Sequence, residues 1–130
     1  RFVAEFIGET NLINGTVRGI DDDRVVIDWN GLDIRGSGHG HRPGEGDNVT
    51  ASLRLENVVC HPKKPSRENA IEGRIVSKLF KGSRTSLDIR VGEKEDTVIR
   101  AYMDAGNAAQ ISDDQLWISW EPERLTVLRD

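Results

Sequence analysis

The chain has 130 residues, a length that makes one domain, or two very small lobes sharing a core. It is 36% hydrophobic and 31% charged, which is too apolar for a disordered chain, and no run approaches the roughly 20 apolar residues of a membrane helix. Its 18 basic and 22 acidic residues leave a net charge of −4 with no basic stripe, which argues against binding of nucleic acid through its phosphates.

Residue 1 is Arg, and no stretch reads as a signal peptide, so the chain is expected to be cut from something longer. Phe2, Val3, Phe6 and Ile7 stand at helical spacing and Gly8 is a stop, so residues 1–10 read as the end of a helix or linker from a preceding domain. Residues 11–20 read as a strand with Gly15 as a bend or bulge. Asp21, Asp22 and Asp23 turn the chain into the strand Arg24–Trp29, and Asn30-Gly31 is a tight-turn signal before a short strand at Leu32–Arg35. Residues 36–48 hold five glycines and one proline and read as a loop.

Strands are expected at 49–55 and 58–60. The polar stretch 61–68, with Pro62 and Pro65, reads as the connector between lobes spanning roughly 11–61 and 69–130. In the second half, 71–80, 85–91, 97–102, 115–120 and 124–128 alternate as strands, with turns at 81–83 and 92–96 and a loop at 104–114. About ten short strands with turns every eight to twelve residues predict an all-β fold, a small barrel or sandwich.

One pattern occurs twice. VTASLRLENVVC at 49–60 aligns with LWISWEPERLTV at 116–127: Val49 meets Leu116, Ser52 meets Ser119, Glu56 meets Glu123 and Val58 meets Leu125. Each block is a strand, a charged bend and a second short strand, which predicts an internal duplication. Gly15 and Gly73, each ahead of an apolar alternation, extend the echo.

No catalytic motif stands out. There is no Gly-Lys pair, which excludes a P-loop. Gly36, Gly38 and Gly40 imitate a dinucleotide fingerprint, but its last glycine is replaced by His41 or Pro43. His39, His41, His61 and Cys60 offer metal-ligating atoms at a spacing that fits no standard zinc motif, and the loop histidines are expected to be solvated. Asp21–Asp23 lacks the rest of a calcium loop. Cys60, the single cysteine, reads as a reduced core thiol. Trp117 lies on the face of its strand opposite Leu116, Ile118 and Trp120, and is either a contact surface or packed between lobes. Lys81, Ser83 and Arg84, at a turn, are candidates for a regulatory or interface surface. No catalytic, cofactor or metal residue is assigned.

The words RFVAEFIGETNLINGTV at 1–17, VTASLRLENV at 49–58, IEGRIVSKLFKGSRTSLDIRV at 71–91 and LWISWEPERLTVL at 116–128 together resemble the TOBE (transport-associated OB) domain. This domain follows the nucleotide-binding domain of bacterial ABC-importer ATPase subunits. The resemblance covers essentially the whole chain and is strongest to the spermidine/putrescine branch, with ferric-iron importers close behind. One departure is Leu55, where the family commonly carries proline; Pro122 keeps it in the second copy.

The resemblance implies an OB-like barrel acting as a regulatory and dimer-stabilising part, not an enzyme in itself. It further implies a preceding ATPase domain that binds ATP and Mg, a second copy of the subunit, permease partners, and a place on the cytoplasmic face of the plasma membrane. An OB-type module binding oligonucleotide, sugar or oxyanion is the alternative, and a metalloprotein using the three histidines is a third reading.

Overall fold

A computed structural model describes residues 10–21, 23–38, 42–67, 69–82, 84–92, 97–104 and 114–128. Among these lie ten strands and two single-turn 3-10 helices: β1 (Thr10–Asp21), β2 (Arg24–Trp29), β3 (Leu32–Ser37), β4 (Asn48–Arg54), η1 (Leu55–Asn57), β5 (Val59–His61), β6 (Asn69–Lys81), β7 (Arg84–Val91), β8 (Val98–Asp104), β9 (Gln115–Trp120), η2 (Pro122–Arg124) and β10 (Thr126–Val127). No described helix is long and apolar enough to cross a membrane. The strands form two units, one from residues 1–54 and 121–130, the other from 55–120.

The first unit is a closed barrel of order β1-β2-β3-β10-β4. In β2 the alternation buries Val25, Ile27 and Trp29 and leaves Arg24, Val26 and Asp28 part-exposed. Asn30 and Gly31 take φ of 53° and 94°, the left-handed pair that a two-residue hairpin requires. The Gly31 amide also donates to Asp28 Oδ1 at 2.9 Å. β4 pairs antiparallel with β1, and β10 lies antiparallel to β4 and parallel to β3, with Thr126 opposite Ser37. Ile13, Val17, Ile34, Leu53, Leu125 and Val127 are buried in this unit. Closure leaves the sheet no free edge, where an open sheet would expose unpaired amides and carbonyls.

The second unit is a five-stranded sheet of order β5-β9-β6-β7-β8. Leu87, Ile89, Val91, Ile99, Leu116 and Ile118 are among its largest fully buried side chains. The two units repeat in detail. β1–β2 and β6–β7 both shift register at equivalent places, Val17/Gly19 and Ile75/Ser77. The amide of Val17 donates to Asp47 O at 2.9 Å, and that of Ile75 to Asp114 O at 2.8 Å. Both 3-10 turns close the same way, Val58 N onto Leu55 O and Leu125 N onto Pro122 O. Pro122 and Leu55 therefore serve one turn geometry, because the proline's fixed φ suits the first helical position without being required there.

The repeats exchange their last strands. β5 follows β4 in sequence but pairs with β9, Val59 opposite Ser119. β10 follows β9 but pairs with β4, Thr126 opposite Ser52. The expected lobes, 11–61 and 69–130, are therefore corrected: the chain leaves the first unit after Arg54 and returns at Glu121, and the 61–68 connector lies inside the second.

A bend or bulge was expected at Gly15; the register shift falls instead between Val17 and Gly19. The role of Gly15 is close approach: a Cβ there would stand 2.6 Å from Asp28 O and would also strike Ile27. Gly73 repeats this against Ile89 Cγ2, at 2.5 Å. Thr10 already pairs with Arg54, so the linker reading does not reach it, and residues 1–9, with the helical tail expected there, lie outside the described residues. The loop expected at 104–114 also falls mostly outside them, at 105–113, as does 93–96 of the expected turn.

Candidate functional site

The residues singled out in the sequence are scattered. Arg84 opens β7 and is exposed, its guanidinium carbon 4.5 Å from the centroid of the Tyr102 ring. Lys81 ends β6, and Ser83 lies outside the described residues. Trp117 is half-buried on β9, opposite in face to the buried Leu116, Ile118 and Trp120, with the Lys64 ammonium 5.5 Å from its ring centroid. The Lys64 side chain of its own unit thus lies over this ring.

His39 and His41 lie outside the described residues, as does Asp22 of the acidic turn. His61 Nε2 is 2.7 Å from Ser119 Oγ, a cross-strand bond between β5 and β9. Partial burial, and secondarily the charge of Arg67, lower its pKa, so the neutral ring is favoured. Burial pushes the Cys60 thiol up to about 11, which keeps it protonated and unreactive at neutral pH. Among the described residues no group of three His, Cys, Asp or Glu side chains is placed to hold a metal ion.

Among the described residues, the second unit has a cleft of about 330 Å³ lined by Glu56, Val58, Val59, Cys60, Arg84, Tyr102 and Met103. Its place in the fold is seen by aligning the strand pairings of the two repeats. In the first unit β3 and β10 meet as a parallel pair, with Ser37 N donating to Leu125 O at 2.8 Å. The approach requires Gly36, where a Cβ would lie 2.7 Å from Leu125 O. A backbone oxygen held in a barrel cannot yield to that atom.

Cross-strand pairing sets the equivalences. Ser37 lies opposite Arg24 in the first unit and Tyr102 opposite Ser86 in the second, so Tyr102 stands for Ser37 and Ala101 for Gly36. The seam partners become Val58 and Val59 in place of Leu125 and Thr126. Ala101 stands in the place of Gly36, and β5 and β8 are not paired. The cleft is the unclosed seam. It was not anticipated from the sequence, although aligning the third strands of the two repeats sets Gly36-Ser37 against Ala101-Tyr102 and carries the signal.

Comparison with known proteins agrees with this architecture. Residues 51–128 match the family described as the TOBE domain. The chain is 36% identical over 141 residues to the spermidine/putrescine import ATP-binding protein PotA of Frankia alni, covering 98% of the chain and 30% of that protein. It is 28% identical to the PotA of Rubrobacter xylanophilus over 98% of the chain and 34% of that protein. The chain therefore spans about a third of the length of the curated relatives it matches.

Among solved structures, the cytoplasmic molybdate-binding protein ModG with molybdate bound superposes with a TM-score of 0.79 at 13% identity, covering 90% of this chain and 94% of that one. At that identity the likeness concerns fold alone. The family match covers more than half of the chain and agrees with the duplicated all-β architecture: the chain belongs to the TOBE domain family.

Proposed function

We propose that the chain is the C-terminal regulatory and dimer-stabilising domain of the ATP-binding subunit of an ABC importer for polyamines. The observation that carries this is the similarity to spermidine/putrescine import ATP-binding proteins over 98% of the chain. In this reading ATP and Mg are bound by a preceding ATPase domain, and the present chain contributes no catalytic residue. Its partners are that domain, a second copy of the subunit and, through the ATPase domain, the membrane permease. The working location is the cytoplasmic face of the plasma membrane. The acidic balance of −4 suits a cationic solute, though weakly, because the charge is spread along the chain.

The test is uptake of labelled putrescine and spermidine by cells carrying the full-length subunit with its permease, with residues 10–130 present or deleted. ATP-dependent polyamine uptake whose response to internal polyamine changes on deletion supports the reading. Uptake of a different solute overturns the polyamine assignment, and uptake indifferent to the deletion overturns the regulatory role.

A further inference from the structure

The two units carry opposite charge at one equivalent rung of their sheets. Val17 and Ile75 both precede the register shift of their strand, and their amides donate to Asp47 O and Asp114 O. Pairing then matches Thr16, Arg18, Asp28 and Asp33 of the first unit with Arg74, Val76, Arg90 and Val98 of the second. In the first unit two acids, Asp28 and Asp33, lie directly opposite each other across β2 and β3. Like charges so placed destabilise a sheet. Arg18 compensates them, with Nε 2.7 Å from Asp33 Oδ1 and Nη2 3.6 Å from Asp28 Oδ2.

In the second unit the facing charges are cations. Arg74 and Arg90 lie directly opposite each other across β6 and β7, the first exposed and the second half-buried. The place of Arg18 is taken by Val76, an apolar residue that is 53% exposed. Among the described residues no acid is ion-paired with either arginine, Glu72 and Asp88 of the same face included. Asp88 is engaged by Arg100 at 2.7 Å. The rung continues to Gln115 beyond Arg74 and to Val98, itself 40% exposed, beyond Arg90. The sheet thus keeps a like-charge pair, with an apolar rim, whose counter-charge the first unit supplies from within and the second does not.

We propose that the outer face of β6, β7 and β8 docks an acidic segment of a partner protein, whose carboxylates bridge Arg74 and Arg90 and whose apolar atoms rest on Val76 and Val98. The planar guanidinium matches a carboxylate through two parallel hydrogen bonds. One exposed ion pair contributes less than about 1 kcal/mol, so a free small anion is not retained on an open sheet, whereas a segment presenting several carboxylates and apolar contacts is. A single-stranded nucleic acid would need open aromatic faces for its bases. The rings on this unit are already stacked, Trp117 under Lys64 and Tyr102 under Arg84. An anionic bilayer is disfavoured by the net charge of −4. The docking surface goes beyond the transport reading, and neither requires the other.

The experiment titrates the 130-residue chain with a fluorescein-labelled decapeptide alternating glutamate and threonine, followed by anisotropy and by amide NMR shifts. Its glutamine counterpart, a thymidine dodecamer and inorganic phosphate are the comparators. The expected result is saturable, salt-weakened binding of the glutamate peptide, with shifts at residues 74, 76, 90 and 98 and none from the glutamine peptide. Arg74→Gln and Arg90→Gln each weaken binding about 10-fold. Both leave the urea midpoint unchanged or raised, because each relieves a like-charge pair. Val76→Glu supplies the counter-charge from within, so it removes binding and raises the midpoint. Arg18→Gln, in the first unit, leaves binding unchanged. Absence of saturable binding, equal binding of the glutamine peptide, or indifference to both arginine variants overturns the proposal. A lowered midpoint in both arginine variants also overturns it, since the pair is then compensated within the fold. Tighter binding of the dodecamer reassigns the face to nucleic acid, equal shifts with phosphate leave an adventitious ion only, and self-association lost in Arg90→Gln reassigns it to a second copy; each overturns the proposal. Polyamine uptake by the full-length subunit is a separate observable, so either reading can fail alone.

Discussion

The two units share strand order, register, bulge position and 3-10 turn, yet one is a closed barrel and the other an open sheet with a cleft. Every feature they share depends on alternation and on glycines at strand crossings, which both repeats keep. They differ at one seam: in the first unit Leu125 O accepts from Ser37 N beside Gly36, while in the second Ala101 takes the place of Gly36 and β5 and β8 are not paired. Duplication thus leaves a stable scaffold in which one repeat can lose its closure and gain a cavity. The second unit tolerates the loss because β8 remains paired with β7 along seven residues.

The largest effect is expected where the first unit is tied shut. Leu125 is fully buried and its carbonyl accepts the seam hydrogen bond. Leu125→Ala is expected to lower stability by about 3 kcal/mol. The equivalent Val58→Ala, which removes less side chain at an unclosed seam, costs less. Urea unfolding of the two variants measures the difference, and equal losses would show that closure adds nothing.

The next effect tests whether the Cβ absent at Gly36 and present at Ala101 decides closure. Gly36→Ala places a methyl against Leu125 O and is expected to cost about 1–3 kcal/mol and to expose the Ser37 amide to hydrogen exchange. The double variant Ala101→Gly, Tyr102→Ser makes the second seam resemble the first. New protection of the amide at position 102 is expected. Continued fast exchange would mean that the single Cβ does not hold the seam open.

Within the second unit, Ser119→Ala removes the hydroxyl bonded to His61 and is expected to cost about 1 kcal/mol. Because the folded chain holds the His61 pKa below 6.5, stability should be intact above that pH and fall as pH drops through it. Chemical denaturation between pH 7.5 and 5 reads this slope, which His61→Asn should flatten.

At the alkaline end the sign reverses. Cys60 ionises near 11 in the folded chain against 9.0 for an ordinary thiol, so stability should decline as pH rises from 9 through 11, and Cys60→Ala should remove that decline. Its labelling by a disulfide reagent at pH 8 should be about 100-fold slower than that of an exposed cysteine.

The smallest effect is expected at the exposed ion pairs of Arg18 with Asp33, at 2.7 Å, and with Asp28, at 3.6 Å. Arg18→Ala should change stability by less than about 1 kcal/mol.

Much of the fold was legible in the chain. RVVIDW, followed by Asn30-Gly31, carries its strand and its turn in local chemistry, and both are found there. The doubled strand–bend–strand block was legible because Ser52/Ser119 and Glu56/Glu123 stand at equal offsets. The exchange of β5 and β10 was not, because a strand of two or three residues carries no local mark of which sheet it completes. The polar, proline-containing stretch at 61–68 looked like a boundary for the same reason: composition reports exposure, not which side of a unit a segment belongs to.

The candidate site was less legible still. Arg84 was picked out as part of a turn, but its partner Tyr102 lies on the next strand, and the cleft is defined by a pairing that fails to form.

By itself the sequence determined the all-β class, the turns, the duplication and membership of the TOBE family, since each is written in residues near one another or in repeated words. Only the tertiary structure decided which strand completes which unit and where a cavity opens. Those outcomes turn on ångström-scale approaches between backbones far apart in the chain.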